Sequence, residues 1–137
     1  MDGKIGSVSL VVRNKAAALA YYVDQVGFEK KTDITSPSGY RFVTVGPKGQ
    51  ELQLALWELG STPDSEQVAW SKQWAAGATP PIVILVSDCR KTYAELHARG
   101  VEFPQEPKDY PWGVAATFRD PDGNLFSISQ LRSWRPK

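Results

Sequence analysis

The chain has 137 residues, enough for one compact domain that buries about two-thirds of its unfolded surface. Sixteen basic residues stand against fifteen acidic ones, a formal net charge of +1, and no basic stripe breaks that balance, so nucleic acid is not an expected partner. A single cysteine excludes an internal disulfide framework, and no segment approaches the roughly 20 apolar residues that span a bilayer, so a cytoplasmic protein with no membrane partner is expected.

The β-rich run Ile5 to Val12 ends at Arg13-Asn14, where Asn14 suits a helix N-cap. Residues 15 to 26 carry Leu19, Tyr22, Val23 and Val26 at helical spacing, and Gly27 is a natural stop. Three strand candidates follow, over residues 28–32, 40–45 and 51–57, separated by Ser36-Pro37-Ser38-Gly39 and Gly46-Pro47-Lys48-Gly49. Residues 58–79 read as a linker holding a short helix, with Trp70 and Trp74 four apart on one face. The same order then returns: a strand at 82–86, Asp88 as N-cap, a helix bearing Tyr93 and Leu96, Gly100 as its stop, and strands at 101–103, 114–118 and 125–129. The stretch between residues 104 and 113 reads as a loop, and Asp120-Pro121-Asp122-Gly123 as a tight turn in which both carboxylates serve structure.

The two halves are a repeat. Asn14 and Asp88, Gly49 and Gly123, and Gln53 and Ser127 are each 74 positions apart. The expected fold class is therefore α+β, a single domain over residues 1–137 built from two tandem βαβββ modules, 4–57 and 80–131, whose curled mixed sheets form one cavity.

Val8-Ser9-Leu10-Val11-Val12, the helix with Tyr21-Tyr22, Gly27-Phe28, and above all Phe118-Arg119-Asp120-Pro121-Asp122-Gly123-Asn124 resemble the vicinal oxygen chelate superfamily of glyoxalases, extradiol dioxygenases and bleomycin resistance proteins. The resemblance covers about residues 5 to 131. It implies paired modules, a dimer, and four cavity-facing positions that hold a divalent metal in the family's enzymes. Carried over residue by residue, those positions fall on Ser7, Gln53, Pro81 and Ser127. A divalent ion needs several charged or imidazole donors converging on one point, and only Gln53 has a side chain that the family uses. The lone histidine, His97, falls near the end of the second helix. No metal and no cofactor are expected.

Alternation along strands puts Glu51, Gln53, Ala55 and Trp57 on one face, with Ser7, Ser9 and Val11 facing in from the first strand and Leu125, Ser127 and Ser129 from the last. Trp112, in Tyr110-Pro111-Trp112-Gly113, adds an aromatic wall. Ser7, Gln53, Trp57, Trp112 and Ser127 are thus the candidate ligand-binding residues, suited to a planar or amphipathic small molecule. Arg41 is expected to point away from them, and Cys89 to lie outside the cavity. The leading expectation is a metal-free small-molecule binding protein, resembling the bleomycin-type members in acting as a homodimer without making or breaking bonds. The alternative is a lyase or isomerase of that superfamily with an altered site, in which a buried Glu51 would serve as general base.

Overall fold

The computed structural model describes residues 2–3, 5–37, 39–58 and 82–132. The chain divides into two compact units, Met1–Ala78 and Thr79–Lys137. Each is a βαβββ module with a four-stranded mixed sheet, so the fold is α+β. The linker helix expected at 58–79, with Trp70 and Trp74, lies outside the described residues except for its first position.

In the first unit the order across the sheet is β1 (Ser7–Val12), β4 (Gln53–Glu58), β3 (Arg41–Gly46) and β2 (Glu29–Thr35). β1 runs parallel to β4, and the other pairs are antiparallel. Helix α1 (Lys15–Ala20) starts where Asn14 Oδ1 accepts from Ala17 N at 2.8 Å, satisfying one of the N–H groups that a helix start leaves open. The helix predicted as one piece changes winding at Tyr21 and continues as a π-helical segment, Tyr21–Val26. Tyr21 and Tyr22 are both buried there, edge to face at 5.1 Å, and Tyr22 stacks on Phe28 at 5.9 Å. Gly27, at φ 87°, closes the turn in a conformation that a side chain would disfavour.

Both faces of this sheet carry buried residues, and one of them is almost wholly apolar. Leu10, Val12, Val43, Val45 and Leu56 share one parity and are all buried. Lys15 is buried as well: its N–H donates to Glu58 Oε1 at 3.0 Å, its Nζ donates to the Arg41 carbonyl, and its ammonium sits 4.5 Å over the Tyr40 ring. Desolvation pulls its pKa down, with the nearby Arg41 charge adding to that and Glu58 opposing it. Those contacts fasten the start of α1 to the ends of β3 and β4.

The second unit repeats this plan, in the order β5 (Ile82–Leu85), β8 (Leu125–Leu131), β7 (Gly113–Arg119), β6 (Glu102–Tyr110). Asp88 Oδ1 accepts from Lys91 N at 3.0 Å and starts helix α2 (Cys89–Ala98), as Asn14 does for α1. Phe103, Phe118 and Phe126 pack in series, with centroids 5.7 and 4.9 Å apart. Cys89 is buried beneath the sheet, its Sγ donating to the Ile128 carbonyl at 3.4 Å, and burial pushes its thiol pKa up.

One expectation fails here. Residues 104 to 110 are not a loop but most of the nine-residue strand β6. Pro104 and Pro107 mislead because proline cannot donate to a ladder, yet β6 is an edge strand where one side needs no donor. The register also shifts between Glu102 and Gln105 and again between Gln105 and Lys108, which absorbs both prolines.

Candidate ligand-binding site

The face of the first sheet opposite Leu10, Val45 and Leu56 carries Ser7, Gln53 and Trp57, together with the buried Val11, Thr44 and Ala55. Ser7 is exposed at the start of β1 and stands opposite Gln53, while Trp57 stands opposite Val11 and is half-buried. Gln53 is half-buried and engaged: its Oε1 accepts from Thr32 Oγ1 at 3.1 Å and from Thr44 Oγ1 at 2.5 Å. Both threonines escaped the sequence reading, because their meeting with Gln53 depends on three strands coming into register. The available signal was one polar residue, Thr44, between Val43 and Val45, and it is fully buried.

Glu51 is corrected. β4 begins at Gln53, so Glu51 lies in the turn ahead of the strand and is exposed. It is not the desolvated carboxylate that a general base at this face requires. Arg41 lies on the other face by parity and is held by Asp33, with Nε to Oδ1 and Nη2 to Oδ2 both at 2.8 Å. Hydrogen bonds from Arg41, then Lys30, hold the Asp33 carboxyl far below the usual carboxylate range.

In the second unit, Ser127 is half-buried, with its Oγ 2.9 Å from Ser129 Oγ. It stands between Thr117 on β7 and Val83 on β5. The 74-residue repeat would have put residue 81 in the place of Ser7, but strand pairing makes Val83 the counterpart opposite Ser127. The slip is two residues, so the face is unchanged. Pro81 itself lies outside the described residues.

Trp112 sits at the tip of the β6–β7 hairpin, 46% exposed, with Tyr110 stacked on it at 5.0 Å and 6° between planes. Three contacts hold the pair in place. Gln105 Nε2 donates to Tyr110 Oη at 2.7 Å, Arg132 N donates to the Trp112 carbonyl at 3.0 Å, and Gly113 lets the backbone pass close to Gln130. The result is a rigid, partly open aromatic ledge.

Asp120 is a turn residue. Its Oδ1 accepts from the N–H groups of Asp122 and Asn124 at 2.9 and 2.7 Å, and its Oδ2 from Asn124 Nδ2 at 2.9 Å. His97 is exposed near the end of α2, stacked on Tyr93 at 5.4 Å. Among the described residues, no group of three His, Cys, Asp or Glu side chains could hold a metal ion. Exposed or paired serines, a valine and an already engaged carboxamide are a poor donor set, so these residues do not fit a divalent ion.

A family model described as "Glyoxalase/Bleomycin resistance protein/Dioxygenase superfamily" matches residues 4–128. The chain belongs to that superfamily. Among solved structures, UcmS2 is 36% identical, with a TM-score of 0.81 over 94% of this chain and 98% of that one. TnmS3, an antibiotic binding protein from Streptomyces sp. CB03234, is 29% identical, with a TM-score of 0.77 over 94% and 96%. The uncharacterised protein YetH of Bacillus subtilis is 30% identical over 95% of this chain and all of its own length. No helix among the described residues is long and apolar enough to cross a membrane.

Proposed function

We propose that this protein is a metal-free binding protein for an aromatic or amphipathic small molecule, with Ser7, Gln53 and Trp57 of the first unit and Ser127 and Trp112 of the second as its binding residues. The observation that carries this reading is the state of Gln53. It is the one side chain at the family's metal positions with ligand chemistry, and its oxygen is taken up by Thr32 and Thr44. The exposed Tyr110–Trp112 ledge supports an aromatic ligand, since a flat ring can stack there without displacing core. The antibiotic binding named for TnmS3 supports a ligand of that general kind. In this reading the protein works by sequestration, as a cytoplasmic homodimer, and needs no catalytic group; Glu51, exposed in its turn, offers none.

The test has two parts. After incubation with excess nickel, zinc, manganese and iron(II) and desalting, elemental analysis should find no retained metal. A screen of planar aromatic compounds by tryptophan fluorescence should find binding that Trp112→Ala weakens by roughly two- to tenfold, the worth of one aromatic contact. One tightly held ion per chain, or a screen in which no planar compound binds, would overturn the reading. Sedimentation at micromolar concentration checks the dimer.

A further inference from the structure

We propose that Gln53 acts as an oriented hydrogen-bond donor, so that the ligand must present an oxygen acceptor, such as a ketone or quinone carbonyl, to this sheet face. The inference rests on the small-molecule reading above and adds the chemistry of one contact.

A carboxamide has an acceptor end and a donor end, and which one faces outward depends on its neighbours. Here both neighbours are threonine hydroxyls, which could in principle donate or accept. In the structure both hydroxyls meet the oxygen end of the amide, and Thr44 Oγ1 donates to Gln53 Oε1. The second hydroxyl, Thr32 at 3.1 Å, meets the same atom and fills its other lone pair. Thr44 is wholly buried, so it fixes that end of the amide from below.

The other end is then Nε2, with two N–H donors. Among the described residues no acceptor meets it. It is not sealed from water either, since no buried side-chain nitrogen or oxygen lacks a partner among them. Ser7, directly across the strand pair, is exposed and leaves the approach open. Two hydroxyls thus turn a residue that could have offered a metal an oxygen into one that offers a ligand two protons. A carbonyl oxygen satisfies such a donor, whereas a bare hydrocarbon edge would strand it and lose affinity.

The experiment is a matched pair of calorimetric titrations, with anthraquinone-2-sulfonate and anthracene-2-sulfonate as probes of nearly equal shape and charge. The wild-type protein should bind the quinone roughly two- to tenfold more tightly, the worth of one net hydrogen bond. Gln53→Glu, which keeps the shape and the bonds from the threonines but offers no donor, should abolish or reverse the preference. Thr44→Val, which removes the clamp at nearly constant volume, should shrink it while the circular dichroism spectrum stays native. Equal wild-type affinities for the two probes would overturn the donor assignment and leave the small-molecule reading standing. Binding of neither probe would overturn both. A preference that survives in Gln53→Glu would assign the discrimination to another residue and also overturn the proposal.

Discussion

The turn before the last strand gives the sharpest test of how this chain is held together. Asp120 is 2% exposed and its carboxylate takes three hydrogen bonds, two of them from Asn124, itself 1% exposed. Replacing Asp120 by alanine leaves the Asn124 backbone N–H and side-chain Nδ2 without these acceptors. A hydrogen bond to a charged group contributes roughly 1.5–3 kcal/mol, so Asp120→Ala should lose about 4 kcal/mol of unfolding free energy. Asp120→Asn keeps one oxygen for the two backbone donors and gives up mainly the charge assistance and one side-chain bond. Its cost should be nearer 2 kcal/mol, because charged hydrogen bonds are worth about twice neutral ones. Urea unfolding followed by circular dichroism reads both values, provided the slopes of the transitions match the wild type. If the alanine variant came within about 1 kcal/mol of the wild type, or if the two variants coincided, the carboxylate would not be the organising group of this turn.

Three further outcomes follow from geometry. A Cβ on Gly113, at φ 154°, would lie 1.9 Å from the Gln130 carbonyl oxygen, so Gly113→Ala should cost at least about 3 kcal/mol and lower the melting temperature by on the order of 10 °C; an unchanged melt would refute the close approach. Cys89 should resist a disulfide exchange reagent at pH 8 in the native protein and react promptly in urea, since burial both shields the thiol and raises its pKa; rapid native labelling would contradict its place under the sheet. Asp33 should remain ionised in acid well below the ordinary carboxylate range, and Arg41→Ala, which removes the larger cause and leaves Lys30 in place, should raise its titration, followed by carboxyl NMR, toward that range. The sign is that of a depressed acid: the pair's contribution is fully present above the ordinary carboxylate pKa and is lost as pH falls toward the folded value.

What could be read from the chain beforehand was what depends on neighbours in sequence. Asn14 and Asp88 cap their helices because a cap bonds within three residues, and the Asp120 turn closes within four. The repeat and the mixed-sheet modules follow from alternation and breakers, which are also local. What stayed hidden depends on tertiary position. β6 could not be told from a loop without knowing that it lies at a sheet edge, the place in a sheet where prolines are tolerated. The start of β4 depends on how the turn through Gln50 is closed, which moved Glu51 off the strand. Gln53 could be placed by its spacing, but its orientation depends on Thr44 and Thr32, one strand and two strands away.

The prolines of β6 have a consequence for how this molecule meets its neighbours in a crowded solution. An outermost strand normally displays a row of unmet amides that invites a foreign strand to join, the first step of edge-to-edge aggregation. Pro104 and Pro107 have no amide N–H to offer, and the two register shifts interrupt the regularity of the strand. This margin is therefore a poor template for strand addition, and a second copy of the chain would have to associate by some route other than lengthening the sheet at β6.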